Sequence, residues 1–176
     1  FAAVIWSAVG GACLAWLGWA GFGLAALGTL VMTVSPFFPG AEPVLNNYIP
    51  VLRQGVFFTA LWLCGIGFSL TVLRALLTTW PKPFARSPYR LGGFLGAVAA
   101  CFSLTAFFWS WAMVPWIEEP LYFEVLFWGG GHTLQFQHAL LMVVAWLWIG
   151  AYLGQPSKAS PRALTALFIV AALPLL

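Results

Sequence analysis

Residues 122–153 read YFEVLFWGGGHTLQFQHALLMVVAWLWIGAYL, a run with one acid, Glu124, and no lysine or arginine. A helix needs about 20 residues to cross the hydrocarbon core of a bilayer, and this run exceeds that. The remainder of the 176-residue chain repeats the pattern, with 62% hydrophobic and 6% charged residues. A water-facing domain of this size could not carry so little charge on its surface. The apolar runs show no alternation of apolar and polar residues over about 10 positions, so strands of a membrane barrel are excluded. The fold class expected is all-α, a polytopic transmembrane helix bundle.

Outward from that run, four more apolar segments complete one transmembrane domain over residues 1–176, with spans over about 2–34, 54–77, 91–114, 122–153 and 163–176. The first is longer than one bilayer requires and is expected to tilt or to end in the interface. A turn-rich connection follows it, with Pro36, Pro39, Gly40, Pro43, Asn46, Asn47 and Pro50. The chain opens on Phe1 rather than methionine and ends at Leu176 within an apolar run, as a piece of a longer protein would. Its opening stretch lacks the basic start and small-residue cleavage site of a signal peptide and reads as a genuine span. Cys13, Cys64 and Cys101 each sit alone in an apolar run and are expected to be buried packing residues.

Seven basic residues spread over the chain form no dense patch, which argues against nucleic acid and for membrane topology. Lysine and arginine gather in the loops over 76–90 and 154–162, just after Arg74, whereas loop 115–121 holds Glu118 and Glu119. Loops of the first kind face the cytoplasm, so the acidic loop is expected outside. The run over 122–153 then starts from the outer face, and position 132 lies about a third of the way down it at about 1.5 Å per residue.

Polar groups are scarce inside these spans, yet Gly131–His138 contains His132, Gln135, Gln137 and His138. Ionisable groups inside a membrane are functional candidates by default, and a neutral imidazole is the commonest ligand for copper, iron or zinc. Against that stands the plainer role of a hydrogen bond to a neighbouring helix. Gln135 lies about 60° from His132 around a helix, near enough to bond the same ligand, while His138 lies about 120° away and suits an interhelical bond. Glu124 places negative charge near the helix N-terminus.

The stretch Leu126-Phe127-Trp128-Gly129-Gly130-Gly131-His132 resembles the Leu-Phe-Trp-x-x-Gly-His motif in the sixth transmembrane helix of subunit I of the heme-copper oxidases. Val44–Leu52 is similar to the connection before the fourth helix, closest to the b-type branch, and 161–175 is similar to the start of the seventh. The resemblance implies that the spans are the family's third to seventh helices, within the catalytic subunit of a membrane oxidoreductase that reduces oxygen or nitric oxide. It implies His132 as a ligand of copper or non-heme iron, with Trp128 and Gly131 near a heme. Most other ligands, including a histidine pair in the seventh helix, would lie outside these residues. It further implies the remaining helices of subunit I, other subunits of a respiratory complex, and cytochrome c or quinol as electron donor, in a bacterial or archaeal cytoplasmic membrane.

The motif departs from the oxidases just past His132. There the family has His-Pro-x-Val-Tyr, with the tyrosine assisting oxygen cleavage; here Thr133 and Phe136 replace the proline and tyrosine. A phenyl ring has no phenolic proton to supply. Nitric oxide reductases of the superfamily also lack the tyrosine, although the bacterial type has a glutamate where Phe136 stands. Gln135 is the nearest polar substitute. The competing expectation is a metal-free transporter or structural membrane protein in which the histidines and glutamines bond between helices.

Overall fold

The computed structural model describes residues 1–45, 50–80, 87–115 and 117–175. Asn46, Asn47, Lys82, Arg86 and Leu176 of the expectations above lie outside the described residues. The chain folds as helices α1 (Ala2–Gly10), α2 (Ala15–Val34), α3 (Gly55–Thr79), α4 (Pro88–Met113), α5 (Glu119–Tyr152) and α6 (Pro161–Ala172). Short 3-10 turns follow α2 and α6 at Ser35–Phe37 and Leu173–Leu175. Helices α3, α4 and α5, and α2 with its 3-10 extension, are each long and apolar enough to cross a membrane. This is a membrane protein of nearly all-α architecture.

Local chemistry sets the helix ends. Prolines occupy the first turns of α4, α5 and α6, where the missing N–H has no intrahelical acceptor to lose. The Ser160 hydroxyl accepts from the Ala163 N–H at 3.2 Å and caps α6.

The first apolar run is not one tilted span. It breaks at Gly11–Leu14, with Gly11 at φ 70° and Leu14 at φ 50°, both left-handed. Ser7 and Gly18, on opposite sides of the break, both meet Arg74, and Gly10 packs against Thr78. Further along α2, Gly21 meets Thr71 and Gly28 meets Ala60. Thus α1 runs beside α3 in its direction and α2 returns antiparallel, making a helical hairpin. A broken helix in lipid must have its backbone groups met internally. Arg74, only 4% exposed, does so: its Nε donates to the Cys13 and Leu14 carbonyls, Nη2 to the Gly11 carbonyl and Nη1 to the Ser7 hydroxyl. Hydropathy could not reveal a turn composed of Gly, Ala, Cys and Leu. Cys13 is consequently exposed at the turn, not buried, whereas Cys64 and Cys101 are half-buried; all three are free thiols.

The connection after α2 holds a second feature absent from the sequence reading. Strands β1 (Glu42–Val44) and β2 (Val51–Arg53) pair antiparallel, Val44 opposite Val51. Those two valines pack with Phe57 of α3 and Phe123 of α5 in a small core at one end of the bundle. Arg53 ties the hairpin to α5, pairing with Glu119 through Nε at 3.1 Å and Nη2, and with Glu42 at 3.1 Å. The larger core gathers Trp6, Val72, Ala97, Ala100, Leu141, Val144 and Phe168 toward the other end. There the Trp6 indole donates to the Gly93 carbonyl at 3.0 Å and Arg90 donates to the Thr78 carbonyl at 2.7 Å. All four acids of the chain belong to the hairpin end, and Arg74, Arg90, Lys158 and Arg162 to the opposite end.

Candidate functional site

Helix α5 presents two faces. Phe123, Gly130, Gln137, Leu141 and Val144 are buried, and Gly130 shows why: a β-carbon there would collide with the Phe107 ring of α4, and the Ser103 hydroxyl of α4 donates to the Gly130 carbonyl at 2.6 Å. Gly130 is therefore a helix-packing glycine, while Gly129 faces open space and Gly131 is half-buried. Trp128, Gln135, Ala139, Met142 and Trp146 are exposed along the other face, Trp128 at 58%.

His132 lies on this second face, half-buried, its ring tilted 36° against that of Trp128 with centroids 4.6 Å apart. Its Nδ1 is 2.8 Å from the Trp128 carbonyl. A carbonyl can only accept, so Nδ1 carries the proton and the lone pair of the neutral ring resides on Nε2. Metal-binding histidines are commonly oriented in this way, by an N–H donated to a backbone carbonyl. Gln135 shares the exposed face with His132, as the 60° separation anticipates.

Phe136 turns from that face toward a cavity of about 430 Å³ between α4, α5 and the turn after α6, lined also by Phe102, Thr105, Trp109, Ser110, Thr133 and Leu175. Thr133 donates to the Gly129 carbonyl at 2.9 Å, leaving its oxygen lone pairs as acceptors. His138 is exposed on the other flank of that face, beyond Gln135, and bonds the Leu134 carbonyl of its own helix at 2.9 Å rather than a neighbouring helix. Gln137 points into α4 with neither amide atom partnered.

The structure thus brings His132, Trp128 and Gln135 onto one face, with His138 on the flank opposite His132, and turns Gln137 away from it into the bundle. Among the described residues there is no group of three His, Cys, Asp or Glu side chains able to hold a metal. A metal at His132 would draw its other ligands from elsewhere. The sequence reading missed Arg74 as a buried cap, having grouped it with the basic loop that follows; its place three residues before the end of the span over 54–77 was the available signal.

No family model matches the chain, and no solved structure matches it. An uncharacterized protein of Rickettsia prowazekii is 33% identical over 132 residues, covering 70% of this chain and 25% of that protein. An uncharacterized protein of Aquifex aeolicus is 31% identical over 130 residues, covering 70% of this chain and 32% of that protein. The chain spans only about a quarter to a third of the length of these relatives.

Proposed function

We propose that the chain is part of the catalytic subunit of a membrane heme-copper oxidoreductase, with His132 as a metal ligand. The observation that carries the reading is the Leu126–His132 motif, set on a membrane-length helix with the His132 tautomer fixed by the Trp128 carbonyl. The donor set fits a shared site: one imidazole nitrogen from this chain and the rest from other helices of a longer protein. Copper or non-heme iron beside a heme would supply the electrons and the binding position for oxygen or nitric oxide. Trp128 and Gly131 would lie against the heme side and Gln135 would hydrogen-bond a ligand. Phe136, which has no proton to give, favours nitric oxide as substrate over oxygen within this class.

The orientation that accompanies this reading puts the Arg74 end in the cytoplasm and the Glu119 end outside, in a prokaryotic cytoplasmic membrane. Cytochrome c or quinol would donate electrons, and other respiratory subunits would be partners. The alternative, a metal-free transporter or structural protein, expects the histidines and glutamines to bond between helices, whereas His132 and His138 bond carbonyls of their own helix.

The test is metal analysis and an optical spectrum of the full-length protein, wild type and His132→Ala. Heme bands together with copper or iron lost only in the variant are expected, with His138→Ala as a control that keeps its metal. A wild-type protein without heme bands overturns the assignment.

A further inference from the structure

Gln135 sits sixteen residues from Glu119 and seventeen from Tyr152, at the middle of α5. At about 1.5 Å per residue it is about 24 Å from either end of the helix, too far for its short side chain to reach an interface. Its side chain is exposed, and no hydrogen bond reaches it among the described residues. On one flank lies His132 and on the other the exposed His138. The outward faces of the other long helices are different. α2 exposes Trp19, Phe22 and Leu30, and α3 exposes Trp62, Ile66 and Leu73. Their exposed polar groups are hydroxyls, such as Thr29 and Thr33, which bond carbonyls of their own helix and so need no outside partner. A primary amide also carries an acceptor oxygen, for which the N–H groups of a mid-helix backbone are already taken, so it bears a desolvation penalty if hydrocarbon covers it.

We propose that the Trp128–Gln135–Met142 face of α5 is not a lipid surface but a helix–helix seam, closed in the full-length protein by another membrane-spanning helix of the same polypeptide. That helix would supply a carbonyl, hydroxyl or amide opposite Gln135. The length of the relatives, three to four times the matched region, provides for such helices in one chain. Ala139, one turn beyond Gln135, is small enough to let a second backbone approach at this point. The inference does not require a metal at His132; the seam can close around a hydrogen-bonded histidine as well as around a ligated one.

The test uses full-length protein in lipid bilayers, with Cys13, Cys64 and Cys101 replaced by alanine and a nitroxide attached at Ala139→Cys or, separately, Met142→Cys. Oxygen collision rates should fall several-fold below those of a single-span peptide labelled at its midpoint in the same bilayer. A photo-crosslinker at Ala139 should join α5 to a segment of its own polypeptide. Labels as mobile and oxygen-accessible as the peptide's, or crosslinks to lipid or to a second copy, overturn the proposal. Metal content under His132→Ala reads the preceding assignment separately, so either can fail alone.

Discussion

The Arg74 guanidinium donates to the Gly11 carbonyl at 2.7 Å, joining the last turns of α3 to a turn 63 residues earlier. With the Cys13 and Leu14 carbonyls and the Ser7 hydroxyl, that single side chain meets the groups that a break in a lipid-embedded helix leaves open. No carboxylate is among these partners; the carbonyl dipoles at the C-terminus of α1 offset the charge instead. Arg74→Met removes a donor to each of them and should cost about 3 kcal/mol or more in reversible unfolding from mixed micelles. Arg74→Lys should recover only part, since a compact ammonium cannot span four acceptors as a planar fork does. A loss below about 1 kcal/mol for the methionine variant would mean that the turn satisfies itself.

The α2–α3 contact depends on close backbone approach. A β-carbon at Gly28 would stand 2.7 Å from both the Ala60 carbonyl oxygen and the Cys64 nitrogen, backbone atoms that cannot swing away. Gly28→Val should force the helices apart at a cost of about 2 kcal/mol. Gly23, with nothing within 4 Å of its β-carbon position, provides the control. Gly23→Ala should stay within about 0.5 kcal/mol of wild type in the same unfolding assay. Equal effects at the two positions would remove the packing explanation.

What could be read from the sequence follows the physics of each feature. Spans over 54–77, 91–114 and 122–153 became α3, α4 and α5 with small shifts at their ends, because long apolar runs bounded by prolines and charges leave few alternatives. The hairpin within 2–34 could not be seen, since Gly11–Leu14 is as apolar as its flanks and its acceptors are met by an arginine distant in sequence. The β1–β2 pair was hidden for a similar reason: three-residue strands acquire stability from Phe57 and Phe123, not from their own pattern. At the candidate site the helical angle between His132 and Gln135 was legible, because it depends only on spacing. The Trp128 carbonyl as partner of His132, and Gln137 as a buried amide, depend on rotamers and on α4, which spacing does not encode.

Arg53 joins β1 and β2 to α5 through Glu42 and Glu119 in an exposed setting. The hydrogen bond to Glu119 pushes its pKa still higher, so the guanidinium remains charged at any alkaline pH the protein survives. Salt rather than base is therefore the lever, since exposed pairs are screened. Arg53→Gln should leave global stability nearly unchanged but quicken amide exchange at Glu42 and Val44. Half-molar salt should reproduce much of that acceleration in wild type and add little in the variant. Exchange that ignores both the substitution and the salt would show that Val44 and Val51 hold the hairpin without the ion pairs.

Gln137 offers the opposite case, a polar group whose removal should help. It is 0% exposed at the α4–α5 contact, below Gly96, and both its amide oxygen and nitrogen lack partners. An unpaired buried amide costs roughly 1–3 kcal/mol in proteins, and replacing it with an apolar side chain of similar shape removes that cost without opening a cavity. Gln137→Met should accordingly be neutral or stabilising by about 1 kcal/mol, while Gln137→Ala should destabilise by leaving a void. The pair of variants separates polarity from volume. If methionine instead costs more than about 2 kcal/mol, the amide is bonded in the membrane to something the protein atoms do not supply, and an internal water between α4 and α5 becomes the explanation to pursue.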